Sequence, residues 1–497
     1  MKSGRCKDRL YPALCFSPLG ITIVRSNQDA RDYWPCVLLS LKGIFMRKIA
    51  IIGSGIAGLI TAHDLLKHGY DVTLYSDRSP EDWLNKSRPT GIAARFESSL
   101  TYERELGLDH WNQNFPPIEG VYLIFSMQPT VPFIILAGRF SENGGAIDVR
   151  LQSYRWMNDL VERGGKLRIE SIDIPRLDAI SADNDLTIVA AGKAEIANLF
   201  ERNETRSIYT KPQRKLAMVI VKNTGNFEKI PYNPVKFNFI GDHGEAFWIP
   251  YYHKSVGMTW NLLFEAKADG KMDRFSNAKS GDEVLSIAKN VIKELFPWDY
   301  DWFKNAELAD ENGWLVGALT PIVRNPVGKL PSGRIVTGVG DTLTTLDPIA
   351  GQGANNVYRM AKNLVQNIVK RGDGAFNAAW MNDTFEEYYD KSGKATIDFT
   401  NLLLEPITDA GRQLLIAQYG SNGIDRNGQQ AIADAFSENF ADPTFLTSYF
   451  TDSTKVRAFI SEKTGRHWLP HTAGGLLSVV RDQVRQKIGM TPSAGYW

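Results

Sequence analysis

The chain has 497 residues, of which 43% are hydrophobic and 23% charged, with a formal net charge of +1. That length spans about two or three domains and buries a core without disulfides or a structural metal; the near-neutral balance supplies no long-range field for nucleic acid or a membrane surface. Cys6, Cys15 and Cys36 all precede Met46, which excludes a cysteine nucleophile, a zinc cluster or a disulfide framework from the remainder, and a cytoplasmic location is expected.

Residues 1–45 carry Lys2, Arg5, Lys7 and Arg9, then a weakly apolar stretch broken by Pro18 and Asp29. They lack the charged, apolar and small-residue order of a signal peptide. They read as a disordered or artefactual N-terminal extension, with a targeting arm as the alternative. No apolar run reaches the roughly 18 residues of a membrane span, so none is expected.

Ile49-Ala50-Ile51-Ile52 is an apolar run ending in glycine, as in a buried parallel strand. Residues 57–68 have apolar positions at helical spacing and stop at Gly69, and Asp71-Val72-Thr73-Leu74-Tyr75 is a second strand. Together they predict a compact β–α–β unit. A helix follows at 151–163, then strands at 166–169 and 185–192. Alternating stretches at 216–221, 235–240, 246–251 and 257–264 predict a mostly antiparallel sheet, interrupted by a helix at about 281–295. A buried strand returns at 334–341, a helix covers about 353–369, and roughly 376–490 is helical.

Inside the first unit stands Gly53-Ser54-Gly55-Ile56-Ala57-Gly58. Gly53 permits the tight turn, Gly55 lets backbone approach a pyrophosphate, and Gly58 lets the helix pack on the strand. The helix N-terminus supplies unpaired N–H groups to the phosphates. In this context the motif predicts dinucleotide binding. An acid usually ends the second strand to hold the ribose. Here that place reads Ser76, then Asp77-Arg78, so Ser76 or Asp77 would bind the ribose and Arg78 would face the adenine or a phosphate; a solvated turn is the alternative. Far downstream, Gly340-Asp341 ends an apolar strand, where a carboxylate can accept from a ribityl hydroxyl. The constrained loop Leu346-Asp347-Pro348-Ile349-Ala350-Gly351-Gln352-Gly353-Ala354-Asn355-Asn356 then opens a helix. That helix N-terminus would stabilise the anion of a reduced flavin.

At these residues the sequence resembles the oxygenase subunits of the styrene and indole monooxygenases. The resemblance runs from about 46 to 465 through Tyr75–Pro80, Arg104–Leu108, Lys211-Pro212-Gln213-Arg214, His243-Gly244-Glu245, Ile249-Pro250, Gly340-Asp341, the 347–355 loop and Phe436–Phe440. It implies an α/β fold like that of the aromatic hydroxylases: a Rossmann-type FAD-binding domain from 46–90, 140–210 and 330–370, a β-sheet substrate domain from 91–139 and 211–329, and a helical region over 371–497. It also implies FAD, reduced by a separate NADH-dependent flavin reductase. O2 then adds to the flavin to give a C4a-(hydro)peroxide, which epoxidises a small apolar aromatic alkene such as styrene or indole. The resemblance leaves room for a homodimer. No catalytic side chain and no metal is assigned, since the cofactor carries the chemistry. The seven histidines show no ligand spacing, and no His-Glu-x-x-His or Gly-x-Ser-x-Gly pattern occurs.

The resemblance places the FAD contacts at Gly53, Gly55, Ile56, Ala57, Gly58, Ser76, Asp77, Arg78, Arg88, Gly340, Asp341, Pro348, Gly351, Gln352, Gly353, Ala354 and Asn355. The segment after Arg88, Pro89-Thr90-Gly91-Ile92, departs from the family pattern, so no contact is carried over there. Phe247, Trp248 and Tyr251, with Tyr252 and Trp260, are candidates for the substrate wall, against the alternative of ordinary core packing. His243 reads as a turn residue, and Asp347 as a site carboxylate or a loop cap. Two rivals stand: a single-component NAD(P)H-dependent hydroxylase, whose usual Asp-Gly element is replaced here by Ala191-Gly192-Lys193, and a non-enzymatic flavin-fold binding protein.

Overall fold

A computed structural model describes residues 15–17, 20–22 and 46–490 apart from 112, 193 and 226–228. The chain divides into two compact units, Met1–Met46 and Arg47–Trp497. In the first, strand Cys15–Ser17 pairs antiparallel with Gly20–Thr22; the rest of the expected N-terminal extension lies outside the described residues.

The second unit contains two large sheets. The first has six strands in the order Val327–Lys329, Ile335–Gly338, Leu186–Val189, Lys48–Ile52, Asp71–Ser76 and Lys166–Ile169. All its pairings are parallel except the hairpin between the first two. Its central strands are apolar because both faces are covered: Ile49, Ala50, Ile51, Leu74 and Ile188 have no exposed surface. Helix Ile56–Lys67 returns the chain across one face and ends at Gly69, whose φ of +81° suits glycine.

The second sheet has nine strands, ordered Glu307–Leu308, Lys215–Lys222, Gly257–Ala266, Gly244–His253, Pro234–Ile240, Ile118–Gln128, Val131–Ala146 and Ala94–Arg95, with Trp314–Gly317 also paired to Lys215–Lys222. It is antiparallel except where Pro234–Ile240 runs parallel to Ile118–Gln128. Side-chain alternation splits it cleanly. Met218, Phe237, Phe247, Ile249 and Leu263 turn one way. Val219, Trp248, Leu262 and Phe264 turn the other way, under helices Gly281–Leu295 and Pro297–Phe303.

Helix Gln352–Arg371 packs on Ile56–Lys67, and helices then dominate to Lys487. Helix Gly428–Ala441 lies so close on the long hairpin that a Cβ at Gly138 would sit 2.1 Å from Ser437 Oγ. The predicted α/β class, with a nucleotide sheet, a substrate sheet and a helical C-terminal part, is the one found. The Ile118–Gln128/Val131–Ala146 hairpin is additional, and positions 139 and 140, read as a domain boundary, fall inside its second strand. No helix among the described residues is long and apolar enough to cross a membrane.

Candidate functional site

The glycine turn behaves as its spacing requires. Gly53 has φ +118°, and a Cβ there would lie 2.5 Å from the Ala190 carbonyl oxygen. A Cβ at Gly58 would lie 1.9 Å from the Gly53 oxygen, so the helix sits hard against the strand. Gly55 is different: nothing lies within 4 Å of its Cβ direction. It caps helix Ile56–Lys67 with no side-chain hydrogen bond and no acid in the first turn, which leaves the helix N–H groups open.

Helix Gln352–Arg371 starts the same way. Its cap is Gly351, in the left-handed region at φ +62°, again with no side-chain cap and no acid in the first turn. By contrast Ser79, Asp173, Ser280 and Asn377 cap their helices with side-chain oxygens. Both open N-termini border one cavity of about 750 Å³, within the usual range of roughly 300–1,000 Å³ for ligand sites. Gly53, Gly55, Ile56 and Ala57 line it from one side, and Asp341, Pro348, Gly351, Gly353 and Ala354 from the other. Two segments some 290 residues apart thus face one space.

Asp77 and Arg78 line the far end. Arg78 holds Asp77 through Nε and Nη2, both at 2.9 Å, donates to Ser87 Oγ at 3.0 Å, and covers the Trp83 ring at 4.7 Å. Asp341 projects into the cavity with no cation beside it. It is open to the cavity but enclosed by protein, and that desolvation pushes its carboxyl up to about 6. Gly340 supports it at φ +67°, where a Cβ would lie 2.8 Å from Ala57 Cβ.

Other predicted contacts stand behind the cavity wall. Ser76 is buried: its hydroxyl meets Ser54 Oγ at 2.6 Å and donates to the Arg78 carbonyl, while Trp83 Nε1 reaches Ser54 at 2.9 Å. It ties the second strand to the glycine turn and is not among the residues lining the cavity. Arg88 stacks on Trp314 at 3.7 Å, outside the cavity lining. Gln352 donates to the Ala350 and Phe440 carbonyls, and Asn355 holds Phe96 N–H, Ser99, Ala94 O and Gly351 O together. These two set the loop's shape from behind. Asp347 caps its own turn by accepting from Ile349 N–H at 3.1 Å.

The substrate sheet closes the other end. Phe247 lines the cavity, with Phe237 edge-on at 4.8 Å and Phe440 at 5.1 Å from Phe237. Trp248 does not: adjacent residues on a strand face opposite ways, and its Nε1 donates to Asp299 at 2.6 Å behind the sheet. Trp260 packs on that rear side too. Tyr251 shares Phe247's face but is fully buried beneath the wall, and Tyr252 is half-buried in a bridge with Ile147. His243 sits in a turn, its N–H on the Ile240 carbonyl. Sequence reasoning missed Thr90–Ala94, which lines the cavity and turns on Ala93 at φ +51°. Pro89 and Gly91 mark a turn there, but a turn by itself does not say what it borders. It also missed Met218, Phe237 and Phe440.

The residues therefore fit a flavin dinucleotide: two uncapped helix N-termini, a glycine with free space, and an unpaired carboxylate surround a space open to an apolar chamber. Comparison with known proteins gives the same picture. The family described as FAD dependent oxidoreductase matches residues 48–120, and the substrate binding domain of styrene monooxygenase A matches residues 192–301. Styrene monooxygenase StyA of Pseudomonas fluorescens is 28% identical over 332 residues, 65% of this chain and 77% of that protein. StyA of a Pseudomonas sp is 28% identical over 318 residues, 62% and 74% of the two chains. Among solved structures, the flavin-dependent brominase Bmp2 superposes with a TM-score of 0.59 at 16% identity, over 84% of this chain and 98% of its own. A flavoprotein/dehydrogenase from Cytophaga hutchinsonii gives 0.58 at 15% identity, over 84% and 99%. These two share the fold.

Proposed function

Because this chain belongs to the styrene-monooxygenase-like family of FAD-dependent monooxygenases, we propose that it is the oxygenase half of a two-component system that epoxidises a small, neutral aromatic alkene such as styrene or indole. A separate NADH-dependent flavin reductase is its partner. The observation that carries this reading is the continuity of one cavity from the glycine turn, past Asp341 and the Pro348–Ala354 loop, to a chamber walled by Met218, Phe237, Phe247, Leu263 and Phe440.

Reduced FAD, when bound, supplies the activation of O2 for transfer of one oxygen atom. The chain's own residues do the rest. Gly55 and the N–H groups that follow it would take the diphosphate, Asp341 would accept from a ribityl hydroxyl, and the open N-terminus of helix Gln352–Arg371 would favour the negative charge of a reduced flavin. The charged lining residues, Asp77, Arg78, Glu170 and Asp341, lie among the nucleotide-side segments, while the sheet wall is apolar. A carboxylated or phenolate substrate would find no cation there, whereas a neutral hydrocarbon ring loses nothing on entering. The same wall excludes water from the reacting centre.

The test supplies chemically reduced FAD anaerobically, then O2, with styrene or indole present. Epoxide or indigo formed without any nicotinamide supports the reading. Oxidation of NADH by the purified chain alone, with no reductase, would show a single-component hydroxylase instead. Absence of product and of FAD retention would show a binding protein.

A further inference from the structure

Three motifs of the sequence converge on one buried cluster that the proposed chemistry does not use. Arg214, from Lys-Pro-Gln-Arg, grips Glu245, from His-Gly-Glu, through Nε at 2.6 Å and Nη2 at 3.1 Å. Asp347 opens the loop that borders the cavity. Between them stands Glu265, with no exposed surface. In the sheet register it lies directly opposite Glu245 on one side and Leu216 on the other. Like charges directly opposite on neighbouring strands repel.

Glu265 has no ordinary partner. Among the described residues no N–H or O–H reaches either of its oxygens, yet its carboxyl lies within hydrogen-bonding reach of the Asp347 carboxyl. Two carboxylates cannot bond to each other; a carboxylic acid and a carboxylate can. The cluster holds three acids, Glu245, Glu265 and Asp347, and one guanidinium already committed to Glu245. The other titratable groups facing it are Lys267, whose Nζ donates to the Gly241 carbonyl at 2.7 Å, and Tyr209, whose hydroxyl donates to Glu405 at 2.8 Å. Neither supplies Glu265 with a proton or a cation.

We propose that Glu265 is kept as the protonated acid and that this proton, shared with Asp347, fastens the Asp347–Gly351 loop to the substrate sheet, making Glu265 a positioning residue for the flavin-side wall. The coupling to the cofactor rests on the reading of that loop as part of the FAD site. Burial, first, and the neighbouring Asp347 both push Glu265 well above the ordinary carboxylate range. For an acid raised in this way, the fastening is complete at acidic pH and is lost as the pH rises through the raised value. Above it, two facing carboxylates repel and the loop leaves its place on the wall.

The experiment uses the full chain with Glu265→Gln, whose amide donates to Asp347 at every pH, and Asp347→Asn as the second variant. Infrared difference spectra at about pH 8, where an ordinary carboxyl is ionised, show a protonated-carboxyl band in the native chain that vanishes in Glu265→Gln and shifts in Asp347→Asn, where its acceptor changes. Oxidised FAD is titrated by fluorescence from about pH 6 to about pH 10. Native affinity falls along the alkaline limb, by up to about tenfold per pH unit for one linked proton, and stays flat in Glu265→Gln. A native spectrum without the band, or a variant that keeps the native alkaline limb, overturns the proposal. A band that is present in a chain unable to bind FAD at any pH leaves the shared proton standing, and sinks the flavin reading together with its coupling to this pair.

Discussion

Gly55→Ala separates cofactor binding from folding, because the space beside Gly55 is empty in the protein itself. Its φ of −75° and ψ of −178° are open to alanine. As a helix cap, alanine is worse than glycine by an amount below about 1 kcal/mol, and the stiffer unfolded chain returns about 0.4–1 kcal/mol. The fold should therefore melt within a few degrees of the native chain when no flavin is added. The new methyl group occupies the approach to the helix N–H groups. Loss of one hydrogen bond to a charged phosphate removes about 1.5–3 kcal/mol, and about 1.4 kcal/mol is a factor of ten. The dissociation constant for FAD should rise about tenfold or more. Fluorescence titration with FAD and a flavin-free thermal melt measure the two effects separately. A Gly55→Ala chain that binds FAD as tightly as the native one would refute this placement of the diphosphate, as would a large fall in the flavin-free melting temperature.

Four further outcomes follow from the geometry. As the proposed ribityl contact, Asp341 accepts more strongly when ionised, so FAD affinity should weaken as pH falls through about 6, the value to which the surrounding protein raises it; stability without flavin runs the opposite way, declining as pH rises from the ordinary aspartate range through about 6, and Asp341→Asn should flatten both profiles. Phe247→Ala enlarges the chamber and should favour bulkier alkenes in product assays. Trp248→Ala, on the rear face, should instead cost about 3–5 kcal/mol of stability with little change in substrate preference, since it opens a cavity and removes a donor from Asp299. Deletion of residues 1–45 should leave FAD affinity unchanged, because the described residues lining the cavity lie between Ile52 and Phe440.

The nucleotide half is legible in the sequence because each demand on it is local. A strand buried on both faces must be apolar, a turn at positive φ must be glycine, and both stand within a few residues of each other at 49–58. The substrate half is only partly legible. Alternation identifies four of its strands, and the same alternation forbids Phe247 and Trp248 from sharing a wall, a constraint present in the sequence. The long hairpin is obscured by Pro132, by Gly138, Gly144 and Gly145, and by register shifts near Gly120 and Ser126. The parallel pairing of Pro234–Ile240 with Ile118–Gln128 joins segments over a hundred residues apart, which no local pattern encodes. The Arg214–Glu245 pair explains why two short polar motifs accompany each other, although nothing in either motif names its partner.

The cavity's wall draws on stretches near 52–57, 75–83, 90–96, 121, 149, 170–172, 190–196, 216–218, 235–263, 315–319, 341–357 and 440. Every piece is held by contacts distant in the chain, so no stretch of sequence can be cut out as a portable flavin-binding module. The complete cavity exists only where the N-terminal glycine turn, the central sheet and helix Gly428–Ala441 meet. A lesion as remote as the contact between Gly138 and Ser437 can thus empty the enzyme of flavin without touching a single atom that holds it.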